Sequence, residues 1–175
     1  MDNLSNSELS AVEGIEKITG HKVPFEKVDC CDFDAMDAVF AKYEFNSIIH
    51  FAAFKAVGES VGIPLDYYRN NLNSLINLLT LMRRHNVENI VFSSSCTVYG
   101  QPDVLPATEQ TPRKPALAPY GTTKQICEDI LRDSTKAYPE INGIALRYFN
   151  PIGAHPSALI GELPRGVPNN LIPFV

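Results

Sequence analysis

Apolar and polar positions fall into segments of two alternating kinds. In residues 7–19, Leu9, Val12 and Ile15 recur at helical spacing and Gly20 follows as a stop, so a helix with that stripe inward is expected. Residues 22–29 hold a short strand candidate ending at Val28 and Asp29. Asp32 is placed to cap a helix over residues 34–43, with Met36, Val39, Phe40 and Tyr43 inward. Residues 47–53 form a continuous apolar run, the pattern of a strand buried on both faces of a parallel sheet. Residues 65–84 predict a long helix with Leu72, Leu75, Ile76, Leu79 and Met82 on its packing side. Residues 89–93 predict a second buried strand, 120–137 a helix, and 143–148 a last strand. The proline-rich stretch 101–119 reads as a loop, and so does the chain after Asn150.

This alternation predicts an α/β fold, a partial Rossmann-like doubly wound parallel sheet with helices on both faces. Ligands of such sheets sit beyond the carboxyl ends of the strands. Lys55 follows the first apolar strand, Ser93-Ser94-Ser95 the second, and Tyr148-Phe149-Asn150 the third. Behind Pro119, a residue suited to a helix's first position, Tyr120-Gly-Thr-Thr-Lys124 opens a helix. A tyrosine and a lysine four apart share one helical face, and a phenol beside a fixed ammonium is a proton-transfer pair. Tyr-x-x-x-Lys is common by chance, and serines after a strand are usually surface turns. Four such clusters on one edge are together expected to form a site.

Length and composition narrow the picture. A chain of 175 residues, 45% apolar and 20% charged, is enough for one domain with a sizeable core. A net charge of −5 gives no support for a nucleic-acid or polybasic membrane surface. No apolar run reaches transmembrane length and no signal region opens the chain, so a cytoplasmic protein is expected. Cys30 and Cys31 are adjacent and Cys96 and Cys127 isolated, a pattern of reduced, mostly buried thiols. His21, His50, His85 and His155 have no metal-ligand spacing, and no metal is expected.

Five stretches are more specific: Phe51-Ala-Ala-Phe-Lys-Ala-Val-Gly-Glu-Ser60, Phe92-Ser-Ser-Ser-Cys-Thr-Val-Tyr-Gly100, Pro119-Tyr-Gly-Thr-Thr-Lys124, Arg147-Tyr-Phe-Asn-Pro-Ile-Gly-Ala-His155 and Pro168-Asn-Asn-Leu171. In residues, order and spacing the chain resembles the UDP-glucose 4-epimerases of the extended short-chain dehydrogenase/reductase family over essentially its whole length. The resemblance implies interconversion of UDP-glucose and UDP-galactose, in galactose metabolism, by transient oxidation at sugar C4 with NAD as cofactor. It implies that Tyr120 is the acid/base, and that Lys124 holds the nicotinamide ribose and lowers the tyrosine pKa. Ser95 would hydrogen-bond the sugar hydroxyl, with Thr97 nearby. Asp2 and Asn3 match the acidic turn that reads the adenosine ribose, and Asp29 and Cys30 would lie against the adenine. Phe51, Ala52, Ala53, Lys55, Asn70 and Ser93 would line the cofactor, with Phe149 near the nicotinamide. Asn150, Asn169, Asn170 and Leu171 would touch the UDP. Taking a phenol from about 10 to about 7 needs roughly 4 kcal/mol. A lysine charge about 6 Å away, at an effective dielectric near 20, contributes roughly 3 kcal/mol.

Departures from the family pattern carry their own expectations. Related nucleotide-sugar dehydratases place an acidic pair where this chain has Cys96-Thr97, which disfavours dehydration. Ala53 stands where glycine is usual and Phe54 where leucine is usual. No Gly-x-x-Gly-x-x-Gly turn is present. The resemblance then implies an internal piece of such an enzyme. Residues 1–150 would be a partial NAD-binding Rossmann-like domain and 151–175 the start of a truncated substrate-binding region. A missing first strand would leave two inner sheet edges unpaired. Little NAD is expected to stay bound through purification. Alternatives are a catalytically inert piece, a module needing a partner chain, or another extended short-chain dehydrogenase/reductase acting on a nucleotide sugar. Full-length relatives would be homodimers, with the helix over residues 65–84 in the interface.

Overall fold

A computed structural model of the chain describes residues 1–161, so Asn169, Asn170 and Leu171 lie outside the described residues. The chain divides into two compact units: Met1–Asp29 together with the chain from Asn150, and Cys30–Phe149.

Cys30–Phe149 contains the parallel sheet that the alternating pattern predicts. Strands β1 (Ser47–His50), β2 (Asn89–Ser95) and β3 (Asn142–Tyr148) pair in that order. The register runs Ser47 to Asn89 to Asn142 at one end and Ser95 to Tyr148 at the other. β1 stops at His50, short of the expected residue 53, and β2 runs on through Ser95, so the three serines belong to the strand itself.

Helices α2 (Phe33–Lys42), α3 (Val57–Gly62), α4 (Pro64–Arg84) and α5 (Pro119–Ala137) complete this unit. Asp32 caps α2 as expected, its carboxylate accepting from Ala35 N at 3.0 Å. Proline occupies the first turn of both α4 and α5, where the missing N–H costs nothing. α3 was not expected from the sequence, because its six residues, two of them glycines, are too few to show a helical period. α4 and α5 pack on one face of the sheet, over His50, Ile90, Phe92 and Ser94. Helices were expected on both faces, but among the described residues of this unit the opposite face leaves Ile49, Phe51, Ile144, Leu146 and Tyr148 exposed, with the Phe51 and Tyr148 rings 6.1 Å apart.

The packing face of α4 differs from the expected one. Leu75, Leu79 and Met82 are buried, but Ile76 is 44% exposed. The buried stripe instead includes Tyr67, Asn71, Ser74, Leu78 and Leu81. Two of its members are polar, so a reading based on hydrophobicity alone rotates the helix toward Ile76.

In the other unit, helix α1 (Ser10–Thr19) begins later than expected, and its stripe is reversed. Leu9 and Ile15 are exposed, while Gly14 is buried against Leu159 and Ile160. A Cβ on Gly14 would fall 2.3 Å from the Leu159 carbonyl oxygen, so this contact admits only glycine. The strand candidate at residues 22–29 reduces to one parallel bridge, Asp2 with Lys27. No helix among the described residues is long and apolar enough to cross a membrane.

Candidate functional site

Because the three strands are parallel, their carboxyl ends share one edge, and the last residues of β2 organise it. After Ser95 the chain turns through a short 3₁₀ helix, Cys96–Tyr99. Ser95 Oγ accepts from Thr97 N at 3.2 Å and from Thr97 Oγ1 at 3.0 Å, which leaves its own proton to be donated elsewhere. The first turn of α5 is pressed against this 3₁₀ turn at Gly121, where a Cβ would lie 2.9 Å from Ala116 Cβ and 3.3 Å from Thr97 Cβ. Tyr120 and Lys124 are thereby carried inward, and both are buried. Lys124 Nζ donates to Ser93 O at 2.8 Å and lies 4.9 Å from the Phe92 ring centre and 5.9 Å from that of Tyr120.

Burial lowers the Lys124 ammonium from its ordinary value to about 8. Burial also pushes the Tyr120 phenol up, against a smaller opposing effect from the hydrogen bond with Ser95. The lowering of Tyr120 expected from Lys124 is not seen: burial is the largest influence on the phenol, and the Ser95 hydrogen bond is what opposes it. His50, at the end of β1, is pushed by burial to about 3, with the Lys124 charge adding to the shift, and it stays neutral. Its Nε2 lies 3.4 Å from Ser74 Oγ, which itself donates to Asn71 O at 3.1 Å.

Tyr120, Lys124, Ser93, Ser95 and Thr97 thus come together as expected. Phe51, Ala52, Ala53 and Lys55 follow β1 directly, with Phe51, Ala52 and Lys55 exposed. Phe149 is exposed and its ring stacks on Tyr99 at 6.4 Å. Asn70 Nδ2 donates to Asn71 Oδ1 at 3.0 Å, and the Cys31 thiol lies 3.4 Å from Asn70 O. Cys30 is buried, its carbonyl accepting from Asn77 Nδ2 at 3.0 Å. Asp2, Asn3 and Asp29 meet within the other unit, where Asn3 Nδ2 donates to Asp29 Oδ2 at 2.8 Å and Asp2 Oδ1 accepts from Leu4 N at 2.7 Å. Asn150 is an exposed residue of that same unit.

Over residues 2–172 the sequence matches the NAD dependent epimerase/dehydratase family. The chain belongs to that family. It is 51% identical to a UDP-glucose 4-epimerase of Schizosaccharomyces pombe over 179 residues, covering all of this chain and 50% of the relative. It is 52% identical to the UDP-glucose 4-epimerase of Bacillus subtilis, again over all of this chain and 51% of the relative. Among solved structures, the UDP-glucose 4-epimerase of Bifidobacterium longum in complex with NAD+ and UDP superposes with a TM-score of 0.96 at 51% identity, over 99% of this chain and 52% of that one. The enzyme of Stenotrophomonas maltophila, with bound NAD and formylated UDP-arabinopyranose, gives 0.94 at 45% identity, over 99% and 51% of the two chains. The chain spans about half the length of the curated relatives it matches.

Within this member of the family, three residues of the site were not singled out from the sequence. Glu128 of α5 accepts from Ser94 Oγ at 2.6 Å and from Arg147 Nε and Nη2 at 2.9 and 2.8 Å, fastening the ends of β2 and β3 to the helix. Burial alone would raise this carboxyl, but the Arg147 and Ser94 hydrogen bonds outweigh it and hold it below its ordinary value. Strand alternation carried the signal, since Ser94 and Arg147 are register partners that project from the same face. Asn71 and Tyr67 of α4 are the other two. Asn71 Nδ2 donates to Phe54 O at 3.1 Å and Thr123 Oγ1 at 3.0 Å, and its Oδ1 accepts from Phe54 N at 2.8 Å. A cleft of about 930 Å³ runs beside β3, lined by Tyr99, Glu128, Arg132, Arg147 and Phe149 among others. Neither Tyr120 nor Lys124 lines this cleft.

Proposed function

We propose that this chain carries the C4 chemistry of a UDP-sugar 4-epimerase, interconverting UDP-glucose and UDP-galactose with NAD as cofactor. The observation that carries the reading is the buried Lys124 beside Tyr120 and Ser95, at the sheet edge of a chain about half identical to UDP-glucose 4-epimerases. The donor set fits the cofactor. An ammonium has three N–H groups, and Ser93 O takes one, which leaves two for the hydroxyls of a ribose. Phe51, Ala52, Ala53, Lys55 and Asn70 would line the dinucleotide, with Phe149 toward its ring. Asp2, Asn3, Asp29 and Cys30 would hold the adenosine end.

Bound NAD supplies the hydride acceptor and donor that interconversion at C4 needs. Tyr120 Oη takes the proton of the sugar 4-hydroxyl as the C4–O bond becomes a carbonyl, and returns it when C4 is reduced from the opposite face. Burial favours the neutral phenol, the form that returns the proton, while the hydrogen bond with Ser95 favours the phenolate that takes it. Ser95, with Thr97 oriented on its oxygen, directs its remaining proton at the reacting centre.

The same reading assigns residues 1–150 to the NAD-binding domain and 151–175 to the start of the region that binds UDP. There Asn150, Asn169, Asn170 and Leu171 would meet the nucleotide. It also makes the protein cytoplasmic and, through the exposed Leu65 and Ile76 of α4, a homodimer.

The test is a graft of this chain in place of the matching half of the Bacillus subtilis relative. The graft is expected to convert UDP-galactose to UDP-glucose, and Tyr120→Phe to lower its turnover by at least about 10²-fold. A folded but inactive graft, or near-normal turnover in Tyr120→Phe, would overturn the assignment.

A further inference from the structure

We propose that Tyr67 and Asn71 form a clasp that sets the backbone of residues 54–56 and ties it to the turn bearing Tyr120. Both are positioning residues. Their meaning for the reaction rests on the function proposed above.

β1 ends at His50, so the segment that follows has no sheet ladder to satisfy its backbone. α4 supplies the partners instead. Asn71 takes both the N–H and the C=O of Phe54, at 2.8 and 3.1 Å. Tyr67 Oη accepts from Ala56 N at 3.0 Å, and its proton lies between Ala56 O at 2.9 Å and Glu59 Oε2 at 2.6 Å. The spacing explains why two side chains four apart reach residues two apart. Four helical residues advance about 6 Å, and two extended residues advance about 6.6 Å. Both side chains are buried.

From Asn71 the network continues into α5. Its Nδ2 donates to Thr123 Oγ1, and that hydroxyl donates to Tyr120 O at 2.7 Å. The ring of Tyr67 meets that of Tyr120 edge-on at 6.5 Å. One face of α4 therefore fixes both the segment assigned to the cofactor and the residue assigned to the proton.

The test uses amide hydrogen exchange by NMR on the full chain, comparing Tyr67→Phe and Asn71→Leu with the unvaried protein. Each lost pair of hydrogen bonds is expected to speed exchange at least about tenfold, at Ala56 in the first variant and Phe54 in the second, with β2 amides unchanged. Tyr67→Phe removes one oxygen only, so it keeps the test decisive if Asn71→Leu fails to fold. In the graft described above, either variant is expected to weaken NAD+ binding about tenfold, with kcat at saturating NAD+ falling by less than about threefold. Unchanged exchange at Phe54 and Ala56 overturns the clasp, and so does equal acceleration in β2, which marks general loss of stability. If the amides respond while the unvaried graft binds no NAD+, the clasp stands and the proposed function fails.

Discussion

Lys124 is a charge kept almost entirely from water, and that fixes how the site responds to pH. Its folded value is about 8 against an ordinary 10.5. Below pH 8 the lysine is charged in both folded and unfolded chains, and the full cost of burial is present. Between about 8 and 10.5 the folded chain sheds the proton first, so the stability contribution of this group rises with pH. Lys124→Met is expected to be more stable than the unvaried chain by about 1–3 kcal/mol at pH 7, and by less at pH 9. Urea unfolding at the two pH values measures both, and a methionine variant that is weaker at pH 7 would refute the account. The Tyr120–Lys124 pair was legible because helical spacing alone puts the two on one face. The direction of the Tyr120 shift was not, because it depends on how much solvent the fold removes, and no local spacing encodes that.

At the scale of elements, the informative failures are α1 and α4. Each was assigned an inward face by its apolar residues. α1 buries a glycine instead, while α4 buries Leu75, Leu79 and Met82 as expected but adds an asparagine and a serine and leaves Ile76 out. In both cases the buried residue serves backbone contact and not apolar burial, since Gly14 admits a carbonyl and Asn71 satisfies an unpaired loop. Gly121 belongs to the same class. Gly121→Ala would gain up to about 1 kcal/mol in helix propensity. It would also force Ala116 and Thr97 away from contacts of 2.9 and 3.3 Å, at a cost of about 1–3 kcal/mol. A net fall in denaturant midpoint is expected, and an unchanged or higher midpoint would show that the turn yields freely. The strands were legible wherever an apolar run was long enough. The end of β1 was placed too late because the apolar run continues through residue 53 while the ladder with β2 stops at His50.

For the molecule as a whole, the order of strands and helices gave the sheet, while the division into units rests on contacts between distant residues that no local pattern reveals. The sheet face opposite α4 and α5 is a test of that architecture. Ile144 is 58% exposed there, so Ile144→Lys is expected to change stability by no more than about 0.5 kcal/mol. A much larger loss would mean that something covers this face in solution. The pairing of Gly14 with Leu159 and Ile160 has a consequence for how the chain is made. Residues 1–29 leave the ribosome long before their partners after Asn150 exist, whereas Cys30–Phe149 is complete as soon as it emerges. At about 5–20 residues per second the wait is on the order of ten seconds. During it α1 lacks the Leu159 and Ile160 contact that Gly14 fits, and a nascent-chain chaperone that binds residues 10–19 would meet them when they are most in need of cover.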